Sequence, residues 1–537
     1  MEKKLEDLLS SYEGKIKPLR REANLAYFRA SVSGDQNLYK KTEELEITIG
    51  KIHADQGTFE ELKRIRESGA VQDTLLKRQA DVVYNHYLEK QIDPEALAGM
   101  IRLQTRIEQR YSTYRAEIEG RPYSDNEIED ILKTEKDSRR LRRAWESSKQ
   151  VGREVAPMVL ELVKMRNEAA RKVGFDNFHQ MQLKLNDQDP QEIEALFDEL
   201  DELTRKAFAE LKRDMDHKLA AQYGIAPAGL RPWHYQNRFF QEAPKIYEVD
   251  LDRYYRDRDV VELTRRYYAG IGLPVDDLIQ NSDLYEKEGK YQHAYCTDID
   301  REGDIRVVCN VKPNYNWMNT MLHEYGHAVY DKYNDSELPW TLREPAHTFT
   351  TEAVAMLFGR FAANPRWLQD VAGVSPAEAE KIAADCARST RLEQLVFSRW
   401  AQVMYRFEKS MYENPDQDLN RLWWDLVEKY QMLQRPENRN EPDWAAKIHV
   451  ALYPAYYHNY LMGELLASQL YYTLVKQVLK ADSEQPHSFY NRREVGAYLI
   501  ENVFRPGKKY QWNEMIRRAT GEPLTARYYA RQFVTES

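Results

Sequence analysis

A mainly α-helical protein with one small β-sheet is what this sequence predicts. Three observations carry the prediction. Glycine and proline are sparse, at 22 and 21 of 537 residues. Long stretches place apolar side chains at helical spacing, where i, i+3 and i+4 share a face. One short segment instead alternates apolar and polar residues, the period of a strand. The length exceeds what a single core holds, so one domain of two helical lobes over 1–537 is expected.

The helical stretches in order are 37–120, 129–173, 190–222, 378–412 and 455–480. Breaks fall at Gly120–Pro122, Gly224–Pro232, Pro274, Pro436–Pro442 and Pro486–His487, where glycine and proline interrupt the pattern. Tyr291–Ile299 and Asp304–Asn310 flank the turn Asp300-Arg301-Glu302-Gly303 and read as a β-hairpin over 291–310. A helix pair follows over 314–363. Asn314 or Asn316 caps its first helix, and Trp317, Met321, Tyr325 and Val329 form its apolar stripe.

Composition excludes several function classes. Hydrophobic residues at 42% and charged residues at 31% are a globular balance. The net charge of −9 has both signs interspersed and no basic stripe, so no nucleic-acid partner is expected. No run of eighteen apolar residues occurs, so no membrane partner is expected. The start Met1-Glu2-Lys3-Lys4 leads into no apolar export signal. Cys296, Cys309 and Cys386 are too few for a disulfide framework, and cytoplasmic residence is expected.

Residues 323–327 are His-Glu-Tyr-Gly-His. On a helix, His323 and His327 share one face and reach one ion, and Glu324 reaches water on that ion. Two surface histidines on a helix would look the same. A catalytic zinc needs a third protein ligand and one open position. Glu352 lies 25 residues beyond His327, at the start of a second helical pattern. It is the candidate third ligand, or else an acid placed by the helix dipole. One zinc per chain held by His323, His327 and Glu352 polarises a peptide carbonyl and acidifies water. Glu324 takes the proton and passes it to the leaving amine.

At this point the sequence resembles the angiotensin-converting-enzyme family of zinc peptidases. Thimet oligopeptidase and oligoendopeptidase share the superfamily. Leu338-Pro339-Trp340-Thr341-Leu342-Arg343 resembles the family's LPxxLR, and Leu422-Trp423-Trp424 with Lys429-Tyr430-Gln431 its LWW…KYQ. Asn167-Glu168-Ala169-Ala170 with Gly174, then Tyr223-Gly224, resemble its N-terminal half, and Gly507 and Trp512 its C-terminal region. The match spans roughly 160–520, while the first 150 residues are similar only in helical character. The resemblance implies two lobes around a deep central cleft, with zinc at its floor and N-terminal helices over the entrance.

The family's remaining site residues are sought one at a time. His293-Ala294 resembles the His-Ala pair on the cleft strand, which binds extended substrate. Lys447-Ile448-His449 resembles its K-x-H, and Tyr457 with Tyr460 its Y-x-x-Y. By this match His449 and Tyr460 steady the oxyanion, while Lys447 and Tyr457 hold the substrate's C-terminal carboxylate. An aromatic core face is the plainer reading of the tyrosines. The resemblance is interrupted in places. Asn459 stands where the family has an arginine tied to chloride, and Met356 where it has an aspartate beside the zinc ligands. The glutamine that helps hold the carboxylate has no counterpart, and Arg253 falls near its place. Gln292 and Asn310 occupy the positions of an expected disulfide.

The expected activity is release of C-terminal dipeptides from short peptides. An oligoendopeptidase is the first alternative, and removal of single C-terminal residues the next. Outside enzymes, the alternative is a helical peptide-binding scaffold with a silent zinc site.

Overall fold

The computed structural model describes residues 1–247, 249–482 and 486–534. The protein is mainly α-helical, and two antiparallel two-stranded ribbons are its sheets among the described residues.

The stretch 37–120 is cut into four helices, Gln36–His53, Gln56–Glu67, Thr74–Glu89 and Pro94–Thr113. An aspartate precedes each one. Asp35, Asp55, Asp73 and Asp93 accept backbone N–H groups of the first turn that would otherwise lack partners. Ahead of them runs Glu2–Ser33, which packs against Gln36–His53. The chain reverses at Gly34, with φ 73°, and a Cβ there would meet the carbonyl of Gly289 at 2.7 Å.

One expectation needs correction. The segment after Thr113 is not helical: β1 (Ala116–Ile118) pairs with β2 (Arg121–Tyr123), a second ribbon that the helical pattern concealed. Glu119 and Gly120 both take positive φ, 55° and 79°, the geometry of a tight hairpin turn. Long helices then run at Ser138–Lys172, Pro190–Tyr223 and Pro376–Glu413. The ribbon β3 (Tyr295–Asp298) and β4 (Ile305–Val308) lies inside the 291–310 segment, paired Cys296 to Val307.

Among the described residues, buried apolar side chains form one large cluster, a smaller one built mainly by the N-terminal helices, and two groups of three, Phe28 with Ile299 and Val308 and Val82 with Leu338 and Leu342. Trp340 belongs to the smaller cluster, although it lies in the loop after the His-Glu-Tyr-Gly-His helix. Its indole N–H donates to the carbonyl of Asp300 at 2.9 Å, beside the hairpin. That one residue ties the N-terminal helices, the hairpin turn and the histidine-bearing segment together.

Candidate active site

The helix Tyr315–Lys332 carries His323, Glu324 and His327. Asn314 caps it by accepting the backbone N–H of Trp317. The helix Thr348–Gly359 carries Glu352, with His347 as its cap. The two helices meet where Gly326 has no side chain: a Cβ there would stand 2.7 Å from Cα of Ala355. Asn319 Nδ2 fastens the far end by donating to the carbonyl of Gly359 at 2.9 Å. A third helix, His458–Thr473, seats Gly463 against Glu352 and Met356, where a Cβ would lie 3.3 Å from Cβ of Glu352. Two missing side chains thus set how closely the donors approach.

His323 Nε2 and His327 Nε2 lie 3.2 Å apart, and Glu352 Oε2 lies 3.5 and 3.8 Å from them. A tetrahedral zinc with bonds of about 2.0–2.1 Å places its ligand atoms about 3.3 Å apart. The three donors therefore fit such an ion. Burial lowers the pKa of His323 to about 4 and that of His327 well below the usual histidine value, so both rings are neutral, the form that binds metal. Burial and then the charge of Glu464 push Glu352 up to about 7. A dication among these groups would offset that cost. With Nε2 turned to the ion, His327 Nδ1–H donates to Thr351 Oγ1 at 2.7 Å, which fixes the ring.

Glu324 is 8% exposed, and burial, then the charge of Glu352, pushes its carboxyl up to about 8. It shares with His323, His327 and Glu352 the wall of a cavity of about 1440 Å³. The N-terminal helices contribute Tyr12, Asn24 and His53 to that wall, and Ala294–Asp298 run along it.

Tyr460 is half-buried, and its hydroxyl lies within reach of the charge of Glu352. Its ring stands 5.4 Å from that of Tyr457, which stands 5.1 Å from His449. Burial, then the charge of Lys447, lowers the pKa of His449 to about 4, and its Nδ1 is buried without a partner among the described residues. Lys447 is 8% exposed and faces the rings of Phe239, Trp400 and Tyr457 at 5.4–5.6 Å. Tyr457 Oη accepts from Trp400 Nε1 at 2.7 Å. Lys447 lines a separate cavity of about 230 Å³. Ala294 lines the large cavity just ahead of β3, whereas His293 is exposed with its ring against Tyr291.

Arg253 does not join this group. It is exposed and pairs with Glu378 and Tyr254, where salt-bridge geometry outweighs sequence counting. The residue beside Lys447 is Gln241, whose Oε1 accepts from Nζ at 2.5 Å. Sequence reasoning missed it. The available signal was the stretch Trp233–Gln241, rich in aromatic and amide side chains yet without helical period, which is unusual for an exposed loop. Glu464 was also missed, a lone acid in the apolar run Tyr460–Leu470 that pairs with Arg360. Asn459, in place of an arginine, is held by Gln188 Nε2 at 2.8 Å.

Comparison with known proteins agrees with this architecture. The family model described as angiotensin-converting enzyme matches residues 1–528. Angiotensin-converting enzyme of Mus musculus is 22% identical over 426 residues, covering 74% of this chain and 32% of its own length. That of Oryctolagus cuniculus is 24% identical over 431 residues, with the same coverage. That of Theromyzon tessulatum is 22% identical over 526 residues, covering 90% of this chain and 84% of its own. The chain thus spans about a third of the Mus musculus and Oryctolagus cuniculus relatives and most of the Theromyzon tessulatum one.

Proposed function

Because the chain belongs to the angiotensin-converting enzyme family of peptidases, we propose that it hydrolyses short peptides, releasing dipeptides from free C-termini. The observation that carries this reading is the convergence of His323, His327 and Glu352 beside Glu324 on one cavity wall. A scaffold that only bound peptides would have no use for a buried carboxyl at position 324.

His323, His327 and Glu352 would hold a zinc ion, which would supply Lewis acidity to the scissile carbonyl and acidify water. Glu324 accepts the water proton and delivers it to the leaving amine. Tyr460 donates its hydroxyl to the oxyanion, and neutral His449 donates beside it. The strand that begins after Ala294 offers its backbone to an extended peptide. The ammonium of Lys447, positioned by Gln241 and flanked by Tyr457, grips the terminal carboxylate. Three free thiols support a reducing, cytoplasmic setting.

The test is a paired assay of free and amidated peptides with the zinc-loaded protein, products read by mass. Loss of a charge-assisted contact costs about 1.5–3 kcal/mol, so free acids should be cut roughly 10- to 150-fold better. Lys447→Met should erase the difference. Equal cutting of amidated peptides at internal bonds would replace this reading with an oligoendopeptidase.

A further inference from the structure

Asp331 lies one turn beyond His327 and two beyond His323, on the same helix face. Asp298 closes β3, four residues beyond Ala294. Both carboxyls line the cavity shared with the metal-binding triad. Asp298 Oδ1 accepts the backbone N–H groups of Asp300 and Arg301 at 3.2 and 2.8 Å. The half-buried carboxylate of Asp331 has no hydrogen bond or ion pair among the described residues.

Arg301 bears on both carboxyls but is shared with another acid. Arg301 pairs with Glu344, which also takes Lys508 at 2.6 Å. Burial pushes Asp298 up to about 6, and burial with the charges of Asp298 and Glu344 pushes Asp331 well above the carboxylate range. Burial and mutual repulsion thus disfavour ionising both carboxyls, Arg301 offsets this only in part, and a ligand cation would favour the charged pair. A metal ion is the weaker candidate. Among the described residues, His323, His327 and Glu352 are the one group of three such donors that converges.

We propose that Asp331 and Asp298 recognise an arginine or lysine side chain of the peptide substrate, N-terminal to the bond that is cut. The proposal rests on the peptidase reading above. Its direction follows from the two cavities: Lys447 lines the smaller one, so a substrate anchored there places its N-terminal part in the larger. One helical turn rises about 5.4 Å, and an extended peptide advances about 3.3 Å per residue. The basic residue thus sits within about two positions of the scissile bond.

The experiment compares two labelled hexapeptides that differ only in arginine or its neutral isostere citrulline at those positions. Fluorescence anisotropy reads their affinities for full-length, zinc-loaded Glu324→Gln protein. The arginine peptide should bind about tenfold tighter or more. Asp331→Asn should bring the ratio near one, and Asp331→Glu should keep most of it, with thermal melts showing both variants folded. Equal affinities before any change at Asp331, or a preference that survives Asp331→Asn combined with Asp298→Asn, overturns the proposal. Cleavage of the arginine peptide by unmutated protein reports separately on the peptidase reading. An arginine peptide that binds preferentially yet is left uncut by the unmutated, zinc-loaded protein sinks that reading alone.

Discussion

Glu324 and Lys447 are both buried ionisable side chains, and burial penalises the charged form of each. For Glu324 the consequence is tested by removing the proton acceptor while keeping the shape. Glu324→Gln should retain one zinc per chain, measured by elemental analysis, and lose about 10²–10⁴ in kcat. A variant with most of the original turnover would remove Glu324 from the chemistry. For Lys447 the consequence is a pH dependence. Burial, then the charge of Arg238, lowers its pKa from 10.5 to about 8. The ammonium is charged below that value and loses its proton as pH rises through it. The preference for free over amidated peptides should therefore be full near pH 7 and fade above about pH 8. The ratio of kcat/KM for the two peptide forms, followed from pH 6.5 to 9.5, checks it. A ratio that stays flat to pH 9.5 would show that another group holds the carboxylate.

Close contact between the helices Tyr315–Lys332 and Thr348–Gly359 brings the donors together, and Gly326 is where they touch. A methyl group at 326 would meet backbone rather than a side chain that can turn away, so the helices must part. Gly326→Ala should cost about 1–3 kcal/mol of stability. It should also weaken zinc binding, because a separation of even a fraction of an ångström moves Glu352 away from His323 and His327. Thermal melting with and without zinc separates the two effects. An unchanged zinc affinity would mean that the helix spacing is set elsewhere.

Across the whole molecule, Trp340 is one of several side chains that couple the N-terminal helices to the site, alongside Phe28 on Ile299 and Val308 and Val82 on Leu338 and Leu342. Trp340 is 3% exposed in their cluster, and the guanidinium of Arg301 lies 4.4 Å from its ring centroid. Trp340→Ala should cost about 3–5 kcal/mol. The loss should fall on Glu2–Ser33 and Thr74–Glu89, read as faster hydrogen exchange and proteolysis of that region than of Tyr315–Lys332. Uniform loosening of both regions would show that the smaller cluster is no separate unit.

The sequence by itself determined the helical class, a hairpin within 291–310 and the candidate metal donors. Each depends on spacing along the chain, and period 3.6, period 2 and an i, i+4 histidine pair are local geometry. It left the aspartate-capped breaks in 37–120 and the ribbon 116–123 to the structure, although Asp93-Pro94 and Gly120 carried their signals. Only the tertiary structure decided which residue stands beside Lys447, that Thr351 orients His327, that Glu464 bears on Glu352, and that Asp298 and Asp331 face one cavity. Those partners are separated by up to 206 residues in the chain, as Gln241 is from Lys447. Contacts of that kind are set by how helices pack, where the absence of a side chain at Gly326 or Gly463 weighs as much as any motif.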